Sequence, residues 1–114
     1  MTPLTKETYH LIDFAEFNMM KKTAIFINAS RGETINEQAL INALQSKKIL
    51  GAGLDVYENE IVGSKNSLLK MSNAVTLPHI GSAVGETRND MSMLAAKNLV
   101  EALLGKTPVN MDQN

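Results

Sequence analysis

A chain of 114 residues, 44% hydrophobic and 20% charged, has the composition of one small globular domain with a modest core. Eleven basic residues against twelve acidic ones leave a net charge of -1, and no Lys/Arg cluster is present that could track a phosphate backbone or an anionic bilayer, so neither nucleic acid nor a membrane is an expected partner. The lack of cysteine excludes disulfides and thiolate metal sites, no metal is expected, and no apolar run has membrane length or the pattern of a secretory leader, which makes the cytoplasm the expected location.

Residues 5–20 read as one or two short helices, opened by Thr5 or by Asp13. The run 23–28 reads as a first strand, apolar enough to be buried on both faces. Residues 36–47 place Ala39, Leu40, Ala43 and Leu44 on one helical face, with Asn36 as the cap. A second strand is predicted over 51–56, a short helical turn over 67–71 within a polar stretch, and a third strand over 74–77. The longest helix is predicted over 85–104, with Met91, Leu94, Ala95, Leu99, Leu103 and Leu104 in a wide apolar stripe that Gly105 and Pro108 bring to an end. No internal repeat interrupts this order.

Strand, helix, strand in succession predicts a parallel sheet with right-handed crossovers, and in such sheets ligands collect beyond the carboxyl ends of the strands. Arg31 and His79 fall just after predicted strands and Asp55 at the end of one, so the three converge on one edge. Placement alone assigns them no role, because polar residues end strands in any α/β protein.

The surrounding residues say more. The stretches "INASRG", "GAGLDVYENE", "LPHIGSA" and "ETRNDMSMLAAKNL" together resemble the D-isomer-specific 2-hydroxy acid dehydrogenases, and within them the glyoxylate/hydroxypyruvate reductases, from "TPLTKET" through the last helix. The resemblance implies an α/β fold, the C-terminal half of a Rossmann-type NAD(P)-binding domain with a parallel sheet and a long final helix, over residues 1–105, with 106–114 as a tail. It also implies hydride transfer between NAD or NADP and the carbon of a small 2-keto or 2-hydroxy acid, in a homodimer. Arg31 matches the family's substrate-gripping arginine, whose planar guanidinium can hold a carboxylate bidentately beside the carbonyl. His79 matches the acid/base histidine and Glu60 its carboxylate partner, which orients the ring and favours its protonated form. These two are expected within hydrogen-bond reach of each other, with Arg31 across the same crevice. By the same resemblance Thr2, Ala29, Ser30, Arg31, Asp55, His79, Ile80, Gly81 and Ser82 line the cofactor, while Gly32 and Gly81 let the backbone approach closely or turn sharply.

Two departures stand out. Ile61 follows Glu60 where the family often has proline. More consequentially, no G-x-G-x-x-G occurs: in "GAGLDV", Gly51 and Gly53 are followed by Val56 and open a strand, not a helix. The phosphate cradle, the residue that chooses between NAD and NADP, and the separate substrate domain are therefore not in this sequence. The expectation is a carboxyl-terminal third of such an enzyme with an unpaired sheet edge and uncovered helical faces that favour association. Two readings follow: an oxidoreductase completed by a further portion, or a catalytically silent fragment that associates with an intact relative through the last helix or the sheet edge.

Overall fold

In the computed structural model, which describes residues 2–60, 62–108 and 110, the elements run α1 (Phe14–Met19), β1 (Ile25–Asn28), α2 (Glu37–Gln45), β2 (Gly51–Leu54), β3 (Ala74–Thr76) and α3 (Gly85–Leu103), with 3-10 turns at Gly32–Thr34 and Ser67–Lys70. The chain divides into two compact units, Met1–Ile80 and Gly81–Asn114. Ile61, Val109 and residues 111–114 of the predicted tail lie outside the described residues.

Local chemistry explains where the elements start. Asp13 opens α1 with a capping box: its side chain receives the first-turn N–H groups, and the Glu16 carboxylate accepts the Asp13 N–H at 2.8 Å. Thr5, the other candidate, opens only a turn, its carbonyl accepting from the N–H groups of Thr8 and Tyr9 at 3.3 and 3.0 Å. Asn36 caps α2 by accepting from the Ala39 N–H at 3.1 Å. At the far end of α2 the Lys47 and Lys48 N–H groups return to the carbonyls of Leu44 and Ala43, which puts Lys47 in the left-handed region at φ 54°. The same closure ends α3 with Gly105 at φ 70°, the glycine predicted for that role.

The strands form one parallel sheet in the order β1-β2-β3, with Ile25 opposite Gly51 and Gly53 opposite Val75. Alternation sends Phe26, Asn28, Ala52, Leu54, Ala74 and Thr76 to one face, where α2 supplies the predicted Ala39, Leu40, Ala43 and Leu44. Those four, with Phe17, Ile35, Ile49, Ala52, Leu54, Tyr57 and Leu68, form the core, and the Phe17 and Phe26 rings meet edge-on with centroids 5.2 Å apart.

The opposite face corrects the expectation of a strand buried on both sides. Ile25, Ile27 and Val75 are 64%, 73% and 66% exposed, because the helices of the first unit cover only the Phe26 face. No residue of α3 is buried either, so its apolar stripe is exposed in full. No helix of the described residues is long and apolar enough to cross a membrane.

One glycine fixes how the loops after β1 and β2 meet. A Cβ at Gly32 would overlap the Tyr57 carbonyl and the Glu58 nitrogen, whereas one at the exposed Gly63 would meet nothing within 4 Å. Gly32→Ala is expected to cost about 3 kcal/mol or more, because two backbones would have to part, while Gly63→Ala changes stability by less than about 0.5 kcal/mol. Urea unfolding of the two variants against the parent checks the contrast.

Candidate active site

The strand that ends at Asn28 holds the candidate arginine through its last side chain. Asn28 is buried, its Oδ1 accepts the Ser30 N–H at 3.1 Å, and its Nδ2 donates to the Arg31 carbonyl at 3.0 Å. The Arg31 carbonyl also accepts the Thr34 hydroxyl at 2.7 Å. The backbone of Arg31 is thus fixed while its side chain stays exposed, with Nη1 donating to the Ser30 carbonyl at 2.8 Å. Ser30 in turn brings in Thr2: the Thr2 N–H donates to Ser30 Oγ at 2.9 Å, and that hydroxyl donates to the Thr2 carbonyl. Thr2, Pro3, Leu4, Ala29, Ser30 and Arg31 line a cleft of about 400 Å³.

At the end of the next strand Asp55 does the corresponding work for the candidate histidine. Its backbone N–H donates to the Asn28 carbonyl at 2.9 Å, and its buried carboxylate accepts the Ile80 N–H at 2.8 Å. The Leu77 N–H donates to the Leu54 carbonyl at 2.8 Å, and the Tyr57 hydroxyl donates to the Leu77 carbonyl at 3.0 Å. His79 is therefore held from both sides in the left-handed region at φ 54°, a conformation few side chains adopt and which persists only where neighbours impose it. Its Nδ1 lies 3.0 Å from Glu60 Oε2, with both side chains about half exposed. An ionised carboxylate can only accept, so the ring donates from Nδ1 and leaves Nε2 for another partner.

The structure thus gathers the predicted residues in two groups. Glu60, His79, Ile80 and Asp55 form one, and Thr2, Ala29, Ser30 and Arg31 the other, joined through the backbone hydrogen bond between Asp55 and Asn28. Gly81 and Ser82 open the second unit. Sequence reasoning missed Asn28 and Tyr57; the signal for Asn28 was its place as an asparagine two residues before Ser30 at a strand end, the spacing of an Asx turn. Nor did it assign a role to Glu58, whose Oε1 accepts from His10 Nε2 at 2.8 Å and whose Oε2 accepts the Glu37 N–H at 3.3 Å. Glu37 answers with Oε2 on the Glu58 N–H at 3.1 Å and Oε1 on Asn66 Nδ2 at 2.7 Å.

Comparison with known proteins identifies the family and the fold. The family model described as the D-isomer specific 2-hydroxyacid dehydrogenase NAD binding domain matches residues 1–81. A glyoxylate/hydroxypyruvate reductase B of Enterobacter sp. (strain 638) is 56% identical over 108 residues, which are 95% of this chain and 33% of the relative. Among solved structures, a protein of Thermus thermophilus superposes with a TM-score of 0.90 at 41% identity, over 96% of this chain and 35% of the other. An NADPH-dependent glyoxylate/hydroxypyruvate reductase of Sinorhizobium meliloti, crystallised with NADP and malonate, gives 0.84 at 40% identity, over 89% of this chain and 31% of that one. The chain spans about a third of the length of the curated relatives it matches.

The contact that steadies the His79 loop has a pH signature. Burial, reinforced by the carboxylates of Asp55 and Glu37, pushes the Tyr57 phenol above its ordinary value, against hydrogen bonds that pull it down. The fold holds the neutral phenol, so this contribution to stability is intact below about pH 10 and is lost as the pH climbs through the raised folded value. Tyr57→Phe is expected to cost about 1 kcal/mol near neutral pH through the lost hydrogen bond and to make the alkaline decline shallower. Urea midpoints of both proteins between neutral and strongly alkaline pH measure the difference.

Proposed function

The chain belongs to the D-isomer specific 2-hydroxyacid dehydrogenases, and from that premise we propose that it supplies the reaction residues of an NAD(P)-dependent reductase acting on a small 2-keto acid of the glyoxylate or hydroxypyruvate type. In this reading Arg31 holds the substrate carboxylate through paired N–H donors. His79 delivers a proton from Nε2 to the carbonyl oxygen as negative charge develops there. Glu60 fixes the ring by accepting from Nδ1 and stabilises the charged imidazole before transfer. The observation that carries the reading is the 3.0 Å contact between His79 Nδ1 and Glu60 Oε2, in a loop whose backbone Asp55 and Tyr57 secure.

The residues present suit one end of the cofactor. Thr2, Ala29, Ser30 and Arg31 share a cleft that a planar ring could enter, and Asp55, His79 and Ile80, with Gly81 and Ser82 next in the chain, complete the set we assign to the nicotinamide end. When bound, the nicotinamide supplies the hydride that adds to the carbonyl carbon. No glycine-rich turn for the pyrophosphate occurs in the sequence, and neither does the residue that selects NAD or NADP. We assign residues 1–105 to the nucleotide-binding domain and the complete enzyme to a cytoplasmic homodimer, both on family likeness.

Joining an amino-terminal portion from a family member to this chain gives the test. In that chimera Arg31→Ala is expected to reduce kcat/KM on glyoxylate and hydroxypyruvate severely, by about a hundredfold or more, since a charge-assisted bidentate pair is lost. His79→Ala should lower kcat by about a hundredfold to ten-thousandfold, the range for a positioned proton donor. Unchanged rates in both variants overturn the assignment. The 114-residue chain alone is expected to show no measurable heat of binding with NADH or NADPH, because a dinucleotide is anchored largely through its pyrophosphate. Micromolar binding would instead assign the oxidoreductase activity to this chain directly. A chimera inactive in every form, together with association of this chain with an intact relative, favours the silent-fragment reading.

A further inference from the structure

Glu60 rides on a loop that one carboxylate fastens at both ends. Between Glu58 and Asn66 the chain has no regular secondary structure among its described residues, and the only hydrogen bond described for the Glu60 carboxylate is the one to His79. Glu37, the first residue of α2, accepts the Glu58 N–H through Oε2 at 3.1 Å and Asn66 Nδ2 through Oε1 at 2.7 Å. We propose that Glu37, with Glu58 in support, is a positioning residue: it sets the loop so that Glu60 meets His79, and so fixes which ring nitrogen of His79 carries its proton. The functional weight of that pair rests on the reading proposed above, but the geometry does not.

The anchors on either side are rigid. Glu37 stands next to the Asn36 cap on a helix whose Ala39, Leu40, Ala43 and Leu44 are buried in the core. Asn66 caps the 3-10 turn through the Leu68 N–H at 2.9 Å, and Leu68 is 1% exposed. Glu58 reciprocates by accepting the Glu37 N–H at 3.3 Å, so each acid holds the other's backbone. Two carboxylates this close repel unless donors surround them. Two backbone N–H groups, the Asn66 amide and the His10 ring supply four. His10 is itself fixed, with its N–H on the Glu33 carbonyl at 2.9 Å and its ring stacked on Tyr9 at 4.1 Å between centroids. A surface loop chosen only for solubility needs none of this.

The sequence contains two histidines, and each meets a carboxylate through a different ring nitrogen, His10 through Nε2 and His79 through Nδ1; because a carboxylate accepts, the neutral rings are expected as opposite tautomers. Long-range ¹H–¹⁵N correlation of the imidazole rings, on the ¹⁵N-labelled full chain at a pH where both rings are neutral, reads each one separately. His79 is expected mainly in the Nδ1–H form in the parent. Glu60→Ala should shift it to the Nε2–H form, and Glu37→Ala should move the ratio at least threefold the same way while His10 stays in its Nε2–H form. Glu37 acting only as a stabiliser would lower the unfolding midpoint and leave the His79 ratio where it was, which overturns the proposal, as does a parent His79 in the Nε2–H form. Should Glu37→Ala lose amide dispersion, Glu37→Gln and Asn66→Ala each cut one tether and are expected to give partial shifts; an unmoved ratio in both overturns it equally. The readout uses no substrate, so an unmoved tautomer alongside full sensitivity of the chimera to Arg31→Ala rejects the positioning role alone. A moved tautomer with insensitive rates rejects the catalytic reading alone.

Discussion

The hydrogen bond from the Asp55 N–H to the Asn28 carbonyl, 2.9 Å long, joins the ends of two adjacent strands, and the candidate site is built outward from it. Each residue uses its backbone to continue the sheet and its side chain to hold a loop: Asn28 holds Ser30 and Arg31, and Asp55 holds Ile80 beside His79. Both side chains are buried, where a polar group without a partner costs about 1–3 kcal/mol. That penalty selects the loop conformations that satisfy them. Arg31 and His79 are thereby aimed by buried neighbours while their own side chains remain open to a ligand.

The loops are then locked to one another. Gly32 lies against the backbone at Tyr57 and Glu58, closer than any side chain permits, and Tyr57 reaches from the same segment to the Leu77 carbonyl. One stretch of six residues, Asp55 to Glu60, therefore touches the loop after β1, the loop after β3 and the first turn of α2. It carries three acids with distinct work: Asp55 pins backbone, Glu58 exchanges bonds with Glu37, and Glu60 meets the histidine.

The first unit covers one face of its sheet and leaves the other open. On the open face Gly53 lies between the exposed Ile27 and Val75, and Gly51 lies opposite the exposed Ile25, which gives that face a low centre. Apolar area of this kind is lost from water only when another element covers it, and each exposed square ångström forgoes about 25 cal/mol. The candidate site residues do not depend on that face, since the bonds that place them come from the strand ends and from the helix layer on the other side.

Local order was legible in the residues because its causes are local. Asp13 and Asn36 cap by reaching one to three residues ahead, the four apolar positions of α2 recur at helical spacing, and Gly105 supplies a left-handed closure, so each could be read from a short window. Arg31, Asp55 and His79 were legible as strand-end residues, and their family motifs named Glu60 as the partner that the structure finds at 3.0 Å. The sequence could not show which face of β1 would be covered, because Ile25 and Phe26 are equally apolar and only the placement of α2 distinguishes them. Nor could it show the bonds of Asn28 to Ser30 and Arg31 as a set, the pairing of Glu58 with His10 across 48 positions, or the bridge from Glu37 to both ends of the Glu60 loop. Those depend on segments distant in sequence meeting at hydrogen-bond range, and a carboxylate looks the same in a string of letters whether it faces water or a buried donor.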